Sequence, residues 1–210
     1  KIEIKEEEIK TLEEMKKGFM QKIFSQEIRF KDENGNDYPE WEEKRLGDIV
    51  GISIYQPTTI TSSDFKNNGQ YKVFGANGYI GHYDKFNHEL SQVAISCRGE
   101  NSGIVNYIEE KTWITGNSMV INLDNGKSLT KKFLYYLLSS QNLKYMVTGS
   151  GQPQITRRDV ELHLIFVPSL QEQEIIANFL SLFDEKIEIE KEALDTLKDI
   201  KKGLLQQMFV

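Results

Sequence analysis

KIEIEKEALDTLKDIKKGLLQQMF, residues 186–209, repeats the first 24 residues of the chain, KIEIKEEEIKTLEEMKKGFMQKIF. The two stretches align without a gap at an offset of 185 positions, and 12 of the 24 aligned residues are identical. Chance similarity between two charged helices would not keep a Lys-Lys-Gly triplet and a Gln in the same register. We therefore interpret the stretches as two copies of one duplicated element. Residues 1–24 are the first copy and residues 186–209 the second copy.

Both copies have the apolar spacing of a coiled-coil helix. In the first copy, apolar residues follow one another at steps of 7, 3, 7 and 4 positions from Ile2 to Ile23, and the second copy has the same steps from Ile187 to Met208. Glu and Lys surround this heptad seam. One helix leads into the middle of the chain and the other leads out of it, so we expect them to pack antiparallel. A lone amphipathic surface helix would explain one such stretch, but not two matched copies.

The packing of these helices is assigned to a small set of residues. Glycine inside a helix costs about 1 kcal/mol relative to alanine, so the repeated glycines suggest a close approach of two helices, with a bend or a docking place for a partner as the alternative. The predicted packing residues are Ile9, Leu12, Gly18, Phe19, Leu194, Leu197, Gly203 and Leu204.

The second helix is predicted to begin before the second copy. Ser169 and Glu172 form a capping-box pattern after Pro168. A helix from there to about residue 208 would be roughly 55 Å long.

The middle of the chain has a different pattern. Short β-rich runs are bounded by Gly, Asn, Asp and Ser, and KKFLYYLLSSQNLKYM (131–146) has the pattern of a helix. The predicted strands are residues 71–75, 77–81, 92–97, 103–108, 118–123 and 162–167, with a short helix or turn at 45–50. We predict an α+β fold in which an irregular, mostly antiparallel β-rich domain (27–168) lies between a first helix (1–26) and a long second helix (169–210).

Charge and composition narrow the classes of function. The net charge is −6, but residues 51–160 contain eleven basic and eight acidic residues and carry a net charge of +3. Only this middle segment would attract phosphates, and only weakly. The single cysteine, Cys97, excludes a disulfide framework and a cysteine zinc site and fits a reducing compartment. No apolar run reaches the roughly 20 residues of a membrane span, so the expected location is the cytoplasm.

Several motifs, in order, resemble the specificity (S) subunits of Type I restriction-modification enzymes. They are PEWEEKRLGDI (39–49), VFGANGYIGHYDKF (73–86), SCRGENSG (96–103), WITGNSMVI (113–121), KFLYYLL (132–138), GSGQPQITRRDV (149–160) and VPSLQEQEIIANFLSLFDEKI (167–187). Such a subunit normally has two target-recognition domains and two conserved helices in an antiparallel coiled coil. The chain has one such domain, so it resembles the C-terminal half of a specificity subunit, or a half-length subunit that dimerises through its helices.

The resemblance implies a DNA-targeting protein without catalytic residues, cofactor or metal. The recognition domain would read one half of a bipartite site in double-stranded DNA. The helices would hold the methyltransferase (modification) subunits, and the restriction and translocase subunits would join indirectly.

The loops of the middle domain contain the residue types that proteins use to read DNA bases. Arg reads guanine, Asn and Gln read adenine, and Ser and Thr read either base in the major groove. The alternative is that these are ordinary surface loops, because Asn, Gly and Ser are also turn residues. Residues 98–102 and 150–158 are the favoured loops, because turns do not require Gln and Arg. The candidate DNA-binding residues are Asn77, Tyr79, Arg98, Asn101, Ser102, Asn117, Ser150, Gln152, Gln154, Thr156, Arg157 and Arg158.

Other interpretations have weaker support in the sequence. Glu42-Glu43-Lys44 and Glu109-Glu110-Lys111 contain half of a nuclease metal motif without a partner Asp. His82, Asp84 and His88 are assigned to a polar loop rather than to a metal site, and Cys97 to core packing. The main competing hypothesis is a structural coiled-coil dimerisation protein with a β-rich cap and no base readout.

Overall fold

The computed structural model describes residues 1–149 and 153–208. It contains the helices α1 (Ile2–Phe24), α2 (Lys131–Ser139), α3 (Arg157–Glu161) and α4 (Leu170–Met208). The strands are β1 (Glu42–Arg45), β2 (Ser53–Tyr55), β3 (Tyr71–Phe74), β4 (Tyr79–Tyr83), β5 (Gln92–Ser96), β6 (Val105–Ile108), β7 (Trp113–Ile114), β8 (Ser118–Asn122) and β9 (Leu164–Val167). The chain forms two compact units, a helical unit (1–30 and 175–210) and a β-rich unit (31–174).

In the helical unit, α1 and the main part of α4 pack as an antiparallel pair. Glu6 pairs with Lys198 at 3.0 Å, and Glu13 pairs with Lys191 at 2.8 Å. The residue numbers rise along α1 as they fall along α4, so the helices run in opposite directions. The seam between them buries Ile9, Ile187 and Leu194, with Ile2, Leu12 and Phe183 packed against these three. The predicted antiparallel pair is confirmed.

Phenylalanines continue this seam along the helices. The Phe19 ring lies 5.2 Å from Phe179 and 5.6 Å from Phe183, measured between centroids. Aromatic pairs in edge-on or tilted arrangements at this separation stabilise a core beyond their buried area. Phe19 is therefore a packing residue, as predicted. Across residues 1–149 and 153–208, no helix combines the length and the apolarity that a membrane crossing requires.

Three of the predicted packing residues behave differently. A Cβ added at Gly18 or Gly203 would meet no other atom within 4 Å, so the close helix approach inferred from these glycines is wrong. Leu204 is exposed. The Leu204 side chain is thus not buried in the seam, unlike Leu194.

The β-rich unit is built on a four-stranded antiparallel sheet in the order β2-β8-β5-β6. The two central strands, β5 and β8, pair in a register that places Val93 opposite Ile121 and Ser96 opposite Ser118. β-branched residues suit a pleated surface, and strands with both faces covered read as continuous apolar runs. All five residues of β5 are buried, so this strand forms the centre of the core.

Two smaller sheets complete the unit. One has the order β4-β3-β7, in which β3 and β7 are parallel, and the other is the antiparallel pair β1 and β9. The sequence did not predict β1, β2 or β7 as strands. β1 is the charged run Glu-Glu-Lys-Arg, and β2 and β7 have only three and two residues, so none shows an apolar period.

The predicted helix at 131–146 is shorter than expected. α2 ends at Ser139, and a separate 3₁₀ turn follows at Leu143–Met146. The break occurs because the Asn142 side chain accepts a hydrogen bond from the Lys144 backbone N–H at 3.2 Å and so caps a new turn. Asparagine competes with a continuing helix in this way. The predicted start near Thr130 and the buried face of α2 are confirmed.

Gln173 joins the start of α4 to the start of α2 within the β-rich unit. Its side chain is fully buried. Its carbonyl oxygen accepts from the Thr130 N–H at 2.9 Å, and its amide donates to the carbonyls of Ser128 and Pro168, each at 2.9 Å. One side chain thus satisfies three backbone groups, which are costly to bury unpaired.

Gln173→Met keeps the size of this side chain and removes all three hydrogen bonds. We expect the free energy of unfolding to fall by about 2–4 kcal/mol, because buried backbone groups lose their partners. Urea unfolding followed by circular dichroism measures the change. The matched control is Gln171→Met, because Gln171 is exposed and its substitution should change the free energy by less than about 0.5 kcal/mol. Equal effects of the two substitutions would contradict this role of Gln173.

Candidate nucleic-acid interface

The favoured loops meet at one end of the four-stranded sheet, where β5 ends. The Ile155 N–H donates to the Cys97 carbonyl at 3.0 Å, and the Gly99 N–H donates to the Pro153 carbonyl at 3.1 Å. These bonds tie the segment after β5 to the segment before α3. The two loops that the sequence ranked highest are therefore neighbours, although the bonded residues Gly99 and Pro153 are 54 positions apart along the chain.

Two further loops join the same end of the sheet. The Ser118 hydroxyl donates to the Gly75 carbonyl at 2.8 Å, and the Ser96 hydroxyl donates to the Ala76 carbonyl. Because Ser96 ends β5 and Ser118 begins β8, the turn containing Asn77 lies at this end. The Cys97 N–H donates to the Asn117 carbonyl at 3.0 Å, which adds the loop before β8.

A fifth segment, residues 56–59, lies at this end and was missed by sequence reasoning. The Gln56 side-chain amide donates to the Gly116 carbonyl at 2.9 Å, and the Gly116 N–H donates to the Thr59 hydroxyl at 3.1 Å. The Trp113 indole N–H donates to the Thr58 carbonyl at 3.2 Å. Gln56, Thr58 and Thr59 are exposed. The available signal was the pair Gln-Pro, which occurs here at 56–57 and again at 152–153.

Most of the candidate side chains are accessible from solvent. Asn117 is half-buried. Ser102 is buried, and its hydroxyl donates to the Gly99 carbonyl at 2.7 Å, so it supports the turn from inside. Ser150 and Gln152 lie outside the described residues. The exposed candidates are Asn77, Tyr79, Arg98, Asn101, Gln154, Thr156, Arg157 and Arg158.

The arginines of α3 are oriented by a capping box at the start of that helix. The Thr156 hydroxyl accepts from the Asp159 N–H at 3.3 Å, while the Asp159 carboxylate accepts from the Thr156 N–H at 3.0 Å. A capping box fixes the direction in which a helix begins. Arg157 is held by Glu161 at 2.6 Å. Within residues 1–149 and 153–208, Arg98 and Arg158 make no ion pair, so no internal carboxylate occupies their guanidinium groups.

The tyrosine and lysine beside the Asn77 turn are linked to each other. The Lys72 ammonium lies 4.7 Å from the centroid of the Tyr79 ring and pairs with Glu109 at 2.7 Å. The hydrogen bond from Lys72 lowers the pKa of Glu109. Glu109 is therefore ionised and bound to a lysine, which is the behaviour of a surface ion pair rather than of a metal ligand.

The remaining reactive side chains have structural roles. Burial raises the pKa of the Cys97 thiol, which keeps it in the neutral, unreactive form. His88 lies in the connection between β4 and β5, but it is buried and its ring stacks on Tyr55. Its Nε2 lies 2.9 Å from the Tyr55 hydroxyl, and burial lowers the pKa of the imidazole. In the part of the chain that the structure describes, no three His, Cys, Asp or Glu side chains are arranged to hold a metal ion.

Residues 38–199 match the family described as the Type I restriction modification DNA specificity domain. The chain belongs to this family. It is 28% identical over 200 residues to the MjaVIII specificity subunit of Methanocaldococcus jannaschii, and this match covers 89% of the chain and 46% of that protein. The resemblance inferred from the ordered motifs is confirmed, and the relatives are named specificity subunits, in agreement with a non-catalytic chain.

Solved structures show the same fold. The crystal structure of a Type I S subunit from M. genitalium superposes with a TM-score of 0.66 at 23% identity, covering 86% of this chain and 47% of that one. A chain from a study of complex assembly in the type I R-M system superposes with a TM-score of 0.64 at 19% identity, covering 99% of this chain and 54% of that one. The chain thus spans about half the length of the family members that it matches.

Gly116 is the contact point between the fifth segment and the sheet end. A Cβ at this position would lie 2.7 Å from the Pro57 carbonyl oxygen and 2.8 Å from the Thr59 hydroxyl. We expect Gly116→Ala to displace residues 56–59 and to destabilise the protein by about 1–3 kcal/mol. Hydrogen exchange measured by mass spectrometry should show faster exchange in that segment. Gly18→Ala is the control, since it has open space and should be neutral or stabilising. Unchanged exchange at 56–59 would contradict this contact.

Proposed function

We propose that the chain is a DNA sequence-specificity module that reads one half of a bipartite site in double-stranded DNA. The observation that carries the proposal is the convergence of separate loops at one end of the β5–β8 sheet. Arg98, Asn77, Asn101 and Gln154 are exposed there. These are the side chains that form bidentate contacts with guanine and adenine edges. One continuous end of a sheet thus presents several readers together, which a set of unrelated surface loops would not do.

The charge distribution supports readout within a complex rather than by the chain alone. Phosphate contacts position a protein on DNA, and base contacts specify the sequence. Residues 51–160, which contain the candidate loops, carry a net charge of +3, while the whole chain carries −6. We therefore assign base reading to this chain and most of the phosphate affinity to methyltransferase subunits bound to it. The restriction and translocase subunits join through those subunits, and the complex acts in the cytoplasm.

The surface of the helical unit supports docking of two equivalent partner subunits. Ile4 and Ile189 occupy the same position in the two copies and are 64% and 63% exposed, and Met15 and Ile200 do the same at 47% and 54%. Ile4 and Met15 are eleven residues apart, as are Ile189 and Ile200, and eleven residues are close to three helical turns. Each helix therefore has one exposed apolar face away from the buried seam. Exposed apolar groups repeated on an antiparallel pair fit two copies of one protein.

The base-reading proposal is tested by selecting DNA sequences from a random library with the methyltransferase subunit present. Replacing Arg98, Gln154, Arg157 or Arg158 by Ala should relax the preference at one base position by about 1–3 kcal/mol. Lys127→Ala is the charge control, because Lys127 lies beyond the opposite end of β8. It should leave the selected sequence unchanged. If no sequence is enriched with the partner present, the dimerisation protein without base readout becomes the better interpretation.

The docking proposal is tested with Ile4→Glu and Ile189→Glu. Each should weaken binding of the methyltransferase subunit by about tenfold, and both together by about a hundredfold, because an apolar contact is lost at each face. Sedimentation measures the affinity and the number of subunits bound. Leu164→Glu is the matched control, because this exposed leucine belongs to the β-rich unit. Unchanged binding by the double variant would rule out this face as the docking surface.

A further inference from the structure

The two copies of the duplicated helix differ by reversed charges at four aligned positions. The aligned pairs are Lys5 and Glu190, Glu6 and Lys191, Lys10 and Asp195, and Glu13 and Lys198. At other positions the copies keep the sign of the charge, as at Glu7 and Glu192 or Lys16 and Lys201, or lose it, as at Glu8 and Ala193. A surface that only keeps a helix in solution has no need for opposite signs in its two copies. We therefore expect the reversed side chains to make specific contacts.

Three of the four reversed positions form ion pairs between α1 and α4. Lys5 lies 2.6 Å from Glu190, Glu6 lies 3.0 Å from Lys198, and Glu13 lies 2.8 Å from Lys191. The last two pairs are reciprocal. In both, position 6 of one copy contacts position 13 of the other, as the antiparallel arrangement of two equal helices requires. Position 5 instead contacts its own equivalent.

This geometry makes same-copy pairing unfavourable. Two first copies packed in the same register would place Glu6 against Glu13 and one Lys5 against another. Two second copies would place Lys191 against Lys198. Like charges on facing helices are destabilising, and flanking charges of this kind select partners in coiled coils.

The apolar seam cannot make the same distinction. Ile2 is matched by an identical Ile187, Ile9 corresponds to Leu194, and Leu12 is matched by an identical Leu197, so around the three ion pairs either copy offers an equivalent apolar surface. Over these positions the choice between partners comes from the flanking residues. Lys5 and Glu190 suit this role because their side chains are only 25% and 20% exposed, and partial burial weakens screening by salt. The hydrogen bond to Glu190 also raises the pKa of Lys5.

We propose that the charge-reversed pairs at positions 5, 6 and 13 are a pairing selector, by which the first copy accepts the second copy and rejects another first copy. The selector goes beyond the proposed function, because it concerns which helices associate and requires neither DNA nor a methyltransferase subunit. When two chains meet, it permits association of α1 with α4 and opposes association of α1 with α1 or of α4 with α4.

The test reproduces the rejected pairings inside the full chain. Glu6→Lys with Glu13→Lys places Lys against Lys, which is the contact of two second copies. Lys191→Glu with Lys198→Glu places Glu against Glu, which is the contact of two first copies. The variant with all four substitutions restores opposite charges with the signs exchanged. Glu7→Lys with Glu14→Lys is the matched control, because these residues are seven positions apart, exposed, and acidic in both copies.

The readouts are the thermal midpoint of helix unfolding and hydrogen exchange of residues 2–24, both at low salt. Each double variant should lower the midpoint by about 4–8 °C relative to the control and speed exchange in α1 by roughly tenfold. The fourfold variant should recover both values. About 1 M salt should reduce the differences, because it shortens the screening length to about 3 Å.

Two outcomes overturn the selector. In the first, the double variants have the same thermal midpoint and exchange rate as the control. In the second, the fourfold variant exchanges as fast as the double variants. The first would mean that the pairs contribute nothing to helix association, and the second that the loss came from changes within each helix. Because neither DNA nor a partner subunit is in the assay, failure here leaves base reading and docking to their own tests.

Discussion

The antiparallel register between β5 and β8 is the constraint on which the candidate interface depends. It places Ser96 opposite Ser118, and each of these serines binds a carbonyl of the turn that carries Asn77. The next residue, Cys97, joins two other loops through its backbone N–H and carbonyl. A slip of one residue would turn every side chain of a strand to the opposite face. The buried apolar residues of β5 therefore fix the position of exposed residues that they never contact.

In the helical unit, different residues provide the attraction between the helices and the choice of partner. The apolar seam, shared by both copies, supplies the attraction through burial, which is non-directional. The charges beside the seam differ between the copies, so they supply direction and choice of partner at little cost in stability. The outer face is apolar in both copies, with an identical isoleucine at Ile4 and Ile189 and a conservative change from Met15 to Ile200. An exposed surface that is similar in both copies suits a partner protein that binds twice. Flanking charges that differ between the copies suit the pairing of α1 with α4.

The sequence predicted those parts of the fold that leave a local period. The heptads of α1 and α4 and the apolar runs of β5 and β8 were readable in this way. β1 was not, because a charged strand is recognised only through its pairing with β9. Residues 56–59 join the interface through Gly116, 57 positions away from Thr59 along the chain. Gly18 and Gly203 led to the wrong expectation of a close helix approach. A glycine permits close packing, but it does not show that a neighbouring helix is present.

The composition of two loops of the middle domain distinguishes them from ordinary turns. Gln and Arg are poor turn formers, so their presence at 98–102 and 150–158 needed a cause outside the turn itself. The structure supplies part of that cause, because the Ile155 N–H and the Cys97 carbonyl bind the loops together. The arginine side chains are not used in that junction. Arg98 and Arg158 keep an unpaired charge among the described residues, at the end of a sheet whose chain is otherwise acidic. A cation held away from its own acidic groups is best placed to meet an external acceptor, and on DNA the guanine edge and the phosphate are the acceptors that match arginine.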